Sequence, residues 1–267
     1  MEPSNKYVFK HKRSYFPQNL ITPEYIDSLE DFEIRDSDIF LVTYPKSGTI
    51  WTQNILCLIV HEGHRNGTEH TDLLDRVPWL EYNVRKMDYV NHPSPLPKGL
   101  KNGRGKIIYV VRNPKDVLVS YFHFSKVSLH LEEVEDLETI MNNFLAGKVV
   151  GDLWLDHVEG WSAQRDHLNI LFLMYEEMKK VRICVIKICN FLGKRLTEKE
   201  IDDVVDKASF GKMSVDRRAN YTTGPSGTIG DWKNTMTVAQ SEMFDSVFKV
   251  RMEKLPFKFC WDIKDEL

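Results

Sequence analysis

The sequence predicts an α/β fold, a single domain over residues 1–267 with a central parallel sheet and helices on both of its faces. Two observations carry this reading. Three short apolar runs each stop at a turn and pass into a segment of helical periodicity. None of the three alternates apolar with polar residues, as a strand with one solvated face would, so both faces of the sheet are expected to be covered. The length of 267 residues suffices for one large core, and no internal repeat, low-complexity tract or Gly/Ser-rich linker divides it.

The first passage starts at residues 38–42 (DIFLV) and enters a helix over residues 50–61, with Trp51, Ile55, Leu58 and Ile59 at helical spacing. The second runs through residues 106–111 (KIIYVV) and turns at Arg112-Asn113-Pro114. It then enters a helix over residues 116–124, with Val117, Ser120, Tyr121 and Phe124 on one side. The third is residues 170–174 (ILFLM), which stops at Tyr175-Glu176-Glu177 and leads to a helix through Ile186, Ile188, Phe191 and Leu192. Ligands of such sheets bind beyond the carboxyl ends of the strands. Here those ends carry Lys46-Ser47-Gly48-Thr49, Arg112 and Tyr175, a set suited to an oxyanion.

Any anion site must be local. Lys and Arg number 36 against 39 Asp and Glu, a net charge of −3, which speaks against a general nucleic-acid or membrane binder. Cys57, Cys184, Cys189 and Cys260 lack CxxC spacing and sit in apolar stretches, as reduced thiols in a core do. The N-terminal residues include early charges and no apolar segment of signal-peptide length, so a cytoplasmic protein is expected. The nine histidines are scattered, and no metal site is expected.

The stretch Thr43-Tyr44-Pro45-Lys46-Ser47-Gly48-Thr49-Ile50-Trp51 follows the first strand and opens the first helix. Pro45 restricts the turn, Gly48 permits close approach of the backbone to a ligand, and the helix N-terminus offers amides to an anion. Lys46, Ser47 and Thr49 add a cation and two hydroxyls, and Trp51 adds an aromatic face for a base. The lysine precedes the glycine, so the loop is phosphate-binding in character without being a Walker loop. Taken alone, a Lys-Ser-Gly-Thr turn also fits an ordinary helix start.

TYPKSGTIW after one strand, RNPKDVLVSYFHF after the next, YEEMKK at the third and KNTMTVAQSE near the C-terminus together resemble the cytosolic sulfotransferases, in order and over nearly the whole chain. LWLDHVEGW and FCWDI look closest to the amine sulfotransferase branch. The resemblance implies transfer of a sulfuryl group from 3′-phosphoadenosine 5′-phosphosulfate (PAPS) to an amine, phenol or alcohol of a small molecule, without metal. It implies that Lys46, Ser47, Gly48, Thr49 and Ile50 hold the 5′-phosphosulfate, with Lys46 catalytic. Trp51, Tyr175 and Phe210 then form the adenine pocket, Arg112 and Ser120 bind the 3′-phosphate, and Ser209 contacts the cofactor near Phe210. Ala208 stands where many members carry threonine. Arg112 and Ser120 are eight residues apart, which lets a strand end and a helix two turns on face one oxyanion. Lys233, Thr237, Val238 and Glu242 match the family's dimerisation motif K-x-x-x-T-V-x-x-x-E, and the resemblance implies a homodimer through them, whereas the residues by themselves read as a solvated helix start capped by Thr237.

Two segments depart from the pattern. The family's catalytic histidine lies in a Lys-Thr-His-Leu-Pro-like segment ahead of the second strand, and this chain has YVNHPSPLPKGLK there. Either His92 is that base in a compressed segment, or the base is deleted and His92 belongs to the stretch upstream. In the second, residues 221–232 are shorter than in the family and lack the Arg-Lys-Gly that clamps the 3′-phosphate, with Gly224-Pro225-Ser226 in its place. A non-catalytic dimeric nucleotide-binding protein is therefore the alternative expectation.

Overall fold

The computed structural model describes residues 6–12, 14–18, 20–63, 71–80, 105–216 and 229–262. A short antiparallel hairpin comes first, β1 (Val8–His11) with β2 (Ser14–Pro17). Helix α1 (Pro23–Ser28) follows, capped by Thr22, whose hydroxyl accepts from Tyr25 N, and opened by Pro23. Strand β3 (Ile39–Thr43) leads into α2 (Thr49–Val60), with α3 (Leu73–Arg76) beyond it. Strand β4 (Lys106–Val111) leads into α4 (Pro114–Ser125), then α5 (Leu137–Leu145) and α6 (Trp154–Ser162). Strand β5 (Ile170–Met174) leads through a short 3₁₀ turn to α7 (Val181–Leu192) and α8 (Glu198–Ala208), then α9 (Phe210–Val215), α10 (Trp232–Thr235) and α11 (Val238–Met252).

Strands β3, β4 and β5 form a parallel sheet with β4 in the middle, in register Leu41↔Ile108↔Leu171 and Val42↔Tyr109↔Phe172. Successive side chains of a strand point to opposite faces, and here each face meets its own core. Tyr109 and Val111, with Val42 and Phe172, pack among residues of α4, α5, α6 and α11. Ile108 and Val110, with Leu41 and Leu171, pack among residues of α2, α7 and α8. Polar alternation in β4 would bury a polar group on one side or the other, which is why the run KIIYVV is apolar beyond its first residue.

The ends of the elements are tied chemically. Asn113 caps α4 by accepting from Lys115 N at 2.9 Å. Gly193 ends α7 at φ +74°, and Lys106 Nζ donates to the terminal carbonyls of Phe191 and Leu192, joining the start of β4 to the end of α7. Capping boxes open α8 at Thr197 with Glu200 and α11 at Thr237 with Gln240. Helix α4 is buried beyond the side that carries Val117, Ser120, Tyr121 and Phe124. Leu118, Val119 and Phe122 are buried along with Val117 and Tyr121, because α5 and α10 pack against α4 in addition to the sheet.

Candidate functional site

The structure brings the β3–α2 loop, Arg112 and Tyr175 together at the carboxyl ends of the three parallel strands. The β3–α2 loop makes a tight turn, with Ser47 N donating to Tyr44 O at 3.1 Å. Lys46 at φ +69° and Gly48 at φ +100° both lie in the left-handed region. For Gly48 the cause is close approach: a Cβ there would lie 2.6 Å from Tyr175 Cδ2, so only glycine lets the end of β5 close over the loop. Among the described residues no side chain caps the N-terminus of α2, which leaves its first amides for an anion. Ser47 is fully buried, and its Oγ has no hydrogen-bond partner among the described residues. A buried hydroxyl is normally paired, so this one is a donor without its acceptor. Thr49 Oγ1 lies 2.5 Å from Thr43 Oγ1, which fixes the first turn of α2 to the strand end.

Two cations meet at this loop. Arg112, 4% exposed at the end of β4, donates from Nη1 to Lys46 O at 3.0 Å and stacks its guanidinium 4.3 Å from the centre of the Tyr175 ring. Lys46 Nζ sits 4.0 Å over the Phe124 ring. Burial draws the Lys46 ammonium down to about 8, and the charge of Arg112 adds to that fall. An anion at the loop would offset this fall by favouring the charged ammonium. Ser120 lies half-buried two turns along α4 from Arg112.

Trp51, Tyr175 and Phe210 form one aromatic wall. Trp51 meets Tyr175 and Phe210 edge-on, with ring centres 5.7 and 5.9 Å apart. Its Nε1–H donates to Ala208 O at 2.8 Å, and Lys179 Nζ lies 5.0 Å from the Phe210 ring. Trp51 is only 3% exposed, so Phe210, half-buried at the start of α9, is the more open ring of the wall. Ser209 Oγ donates to Asp206 O at 2.8 Å at the end of α8, so its hydroxyl has lone pairs to offer and its proton is committed.

Four residues of the site escaped the sequence reading: Asn113, Phe124, Lys179 and Glu176. Asn113 carried a signal, since Asn before Pro at a helix start is a capping pattern. Glu176 carried none. It is 1% exposed, accepts from Asn113 N at 2.8 Å through Oε1, and is pushed up to about 7 chiefly by burial. Asp116, raised by burial, accepts from Gly230 N and Trp232 N and so holds the approach to α10 against α4. His92 and residues 217–228, including Gly224-Pro225-Ser226, lie outside the described residues. Of the expected dimer residues, Lys233 pairs with Asp262 at 2.6 Å, Thr237 caps α11, and Val238 and Glu242 are exposed.

A family model described as Sulfotransferase domain matches residues 36–256. The chain is 49% identical to the amine sulfotransferase of Oryctolagus cuniculus, over 100% of this chain and 97% of that one. It is 38% identical to sulfotransferase 2B1 of Rattus norvegicus, over 95% and 82%. A mouse sulfotransferase complexed with PAP superposes at a TM-score of 0.74 and 30% identity, over 92% of this chain and 94% of that one. Retinol dehydratase with retinol and PAP, 20% identical over 92% and 91%, shares the fold at a TM-score of 0.75. The rabbit alignment spans 293 residues against 267 here, so at least 293 − 267 = 26 of its positions have no counterpart in this chain.

Proposed function

The chain belongs to the sulfotransferase family, and from that premise we propose how its residues divide the transfer of a sulfuryl group from PAPS to a small-molecule acceptor. The acceptor's lone pair attacks sulfur in line, the bridging S–O bond breaks, and its electron pair leaves on the phosphate oxygen. Charge therefore grows on that oxygen, and preorganised cations there act most strongly on the transition state.

One observation carries the assignment: the buried hydroxyl of Ser47, without a partner among the described residues, in a left-handed turn at a helix start that none of their side chains caps, beside Lys46 and Arg112. Ser47, Gly48, Thr49 and Ile50 hold the 5′-phosphosulfate, and Lys46 neutralises the leaving oxygen. Arg112 and Ser120 take the 3′-phosphate, and Trp51, Tyr175, Ser209 and Phe210 the adenine end. The rabbit relative is an amine sulfotransferase, which favours an amine acceptor here over a phenol or alcohol. We assign the enzyme to the cytoplasm as one domain, and to a homodimer through Lys233, Thr237, Val238 and Glu242. Val238, 75% exposed at the start of a well-capped helix, supports that contact. The acceptor's proton passes to His92 in one alignment, and in the other the chain has lost its base.

The test is turnover of labelled phosphosulfate with amine, phenol and alcohol acceptors, beside titration of the desulfated nucleotide, PAP. The expected result is PAP binding and transfer, with Lys46→Ala losing on the order of 10²-fold or more in rate and less in PAP affinity. Rapid transfer that collapses in His92→Ala identifies the base. PAP binding without transfer assigns the chain to a non-catalytic nucleotide-binding protein, and failure to bind PAP overturns the reading.

A further inference from the structure

Among the described residues, Glu176 is a buried ionisable group that the mechanism above leaves unused, and it stands next to the proposed 3′-phosphate site. Glu176 directly follows Tyr175, the residue whose ring carries the Arg112 guanidinium. Its Oε1 accepts from Asn113 N at the β4–α4 turn, one residue beyond Arg112. Asn113 in turn caps α4 and donates from Nδ2 to Cys260 O at 3.0 Å, so the turn is held on three sides. The other oxygen, Oε2, is buried with no hydrogen-bond partner among the described residues. Burying such an atom costs more as part of a charged carboxylate than as part of a neutral acid.

We propose that Glu176 is a positioning residue for Arg112, holding the β4–α4 turn through Oε1, and that its Oε2 takes up a proton from solvent when a 3′-phosphate binds. This rests on the reading of Arg112 as the 3′-phosphate ligand. The charged and titratable groups facing Glu176 are Arg112 at the end of β4, Asp116 on α4 and the adjoining Tyr175. Arg112 favours the carboxylate, and Asp116 opposes it. A phosphate dianion at Arg112 would satisfy the one cation of this set and bring further negative charge close to Glu176. Both changes raise the affinity of Oε2 for a proton. Because the carboxyl of the free protein already titrates near neutrality, the uptake falls within an accessible range, at and above pH 7. The sign follows: through Glu176, affinity for a 3′-phosphorylated nucleotide falls as pH rises through that range, by at most about tenfold per pH unit for its one proton, in addition to any proton that Lys46 takes up. The same carboxyl, raised above its unfolded value, stabilises the fold at low pH and loses that contribution as pH rises toward 7.

The experiment is calorimetric titration of the full chain with PAP and with adenosine 5′-monophosphate, which lacks the 3′-phosphate. It is run near pH 7.5 in buffers of different ionisation heat. The ligand's own phosphates titrate near pH 6, at about the second phosphate pKa, so the reading is the difference between wild type and Glu176→Gln. Wild type is expected to take up a measurable fraction of a proton more than Glu176→Gln with PAP, and no more with adenosine 5′-monophosphate. Glu176→Ala, which removes the acceptor for Asn113 N, is expected to weaken PAP about tenfold and the monophosphate less, and Glu176→Gln to restore most of that loss. Equal proton counts in wild type and a folded Glu176→Gln, with PAP binding intact, overturn the proposal and leave the nucleotide site standing. Absence of PAP binding by wild type overturns both. If Glu176→Ala does not fold, the comparison with Glu176→Gln decides alone.

Discussion

Arg112 and Lys46 touch through a backbone carbonyl and carry the same charge, yet they are assigned to opposite ends of the nucleotide and should fail differently. Arg112 is planar, buried and stacked on Tyr175, a geometry suited to a phosphate that stays in place through the reaction. Arg112→Ala is expected to weaken PAP by about tenfold or more while changing adenosine 5′-monophosphate much less, since a charge-assisted contact is lost only where the 3′-phosphate exists. Equal losses for both ligands, read by calorimetry, would make Arg112 a scaffold for the loop. Lys46 is a point charge drawn down to about 8, so on the free enzyme an alkaline solution neutralises it before an ordinary lysine. An anion at the loop restores its charge, which is the state the transition state needs.

At the scale of elements, the β3–α2 loop is shaped by a segment distant in sequence. The turn between α5 and α6 brings Gly151, at φ +98°, so near that a Cβ would lie 2.7 Å from Pro45 Cδ, and Tyr44 donates its hydroxyl to Asp152 O at 2.8 Å. Gly151→Ala combines a strained backbone with a push on the residue before Lys46. We expect it to cost about 1–3 kcal/mol in stability and to lower turnover more than PAP affinity. Gly160, in α6 with open space where its Cβ would go, is the matched control. Gly160→Ala should be neutral or stabilising by up to about 1 kcal/mol, because a helix interior prefers alanine. Thermal melts of the two variants check both expectations, and a stable, fully active Gly151→Ala would show that the loop does not depend on this wedge.

For the molecule as a whole, the proposed assembly rests on the start of α11. Val238→Glu places a charge where the proposed two-fold contact offers no partner, and sedimentation is expected to show monomers in place of dimers. An unchanged mass would remove residues 233–242 from the interface. How far the molecule could be read in advance divides along a physical line. Local chemistry was legible in the chain: the apolar strands, the Lys-Ser-Gly-Thr turn, Arg112 at a strand end and Thr237 as a cap each follow from neighbours a few residues away. By itself the sequence determined the parallel α/β class, the strand ends where the candidate residues gather and, through whole motifs in order, the family. The tertiary structure alone decided what depends on burial and on contacts between distant segments. Glu176 looks like any surface glutamate until β4 and β5 pair and exclude water from it. Trp51 looks like an open face until Ala208, 157 residues later, accepts its N–H. The orphaned Ser47 hydroxyl, too, exists only because the strand ends close over the loop, since desolvation is a property of the folded whole and of no residue in it.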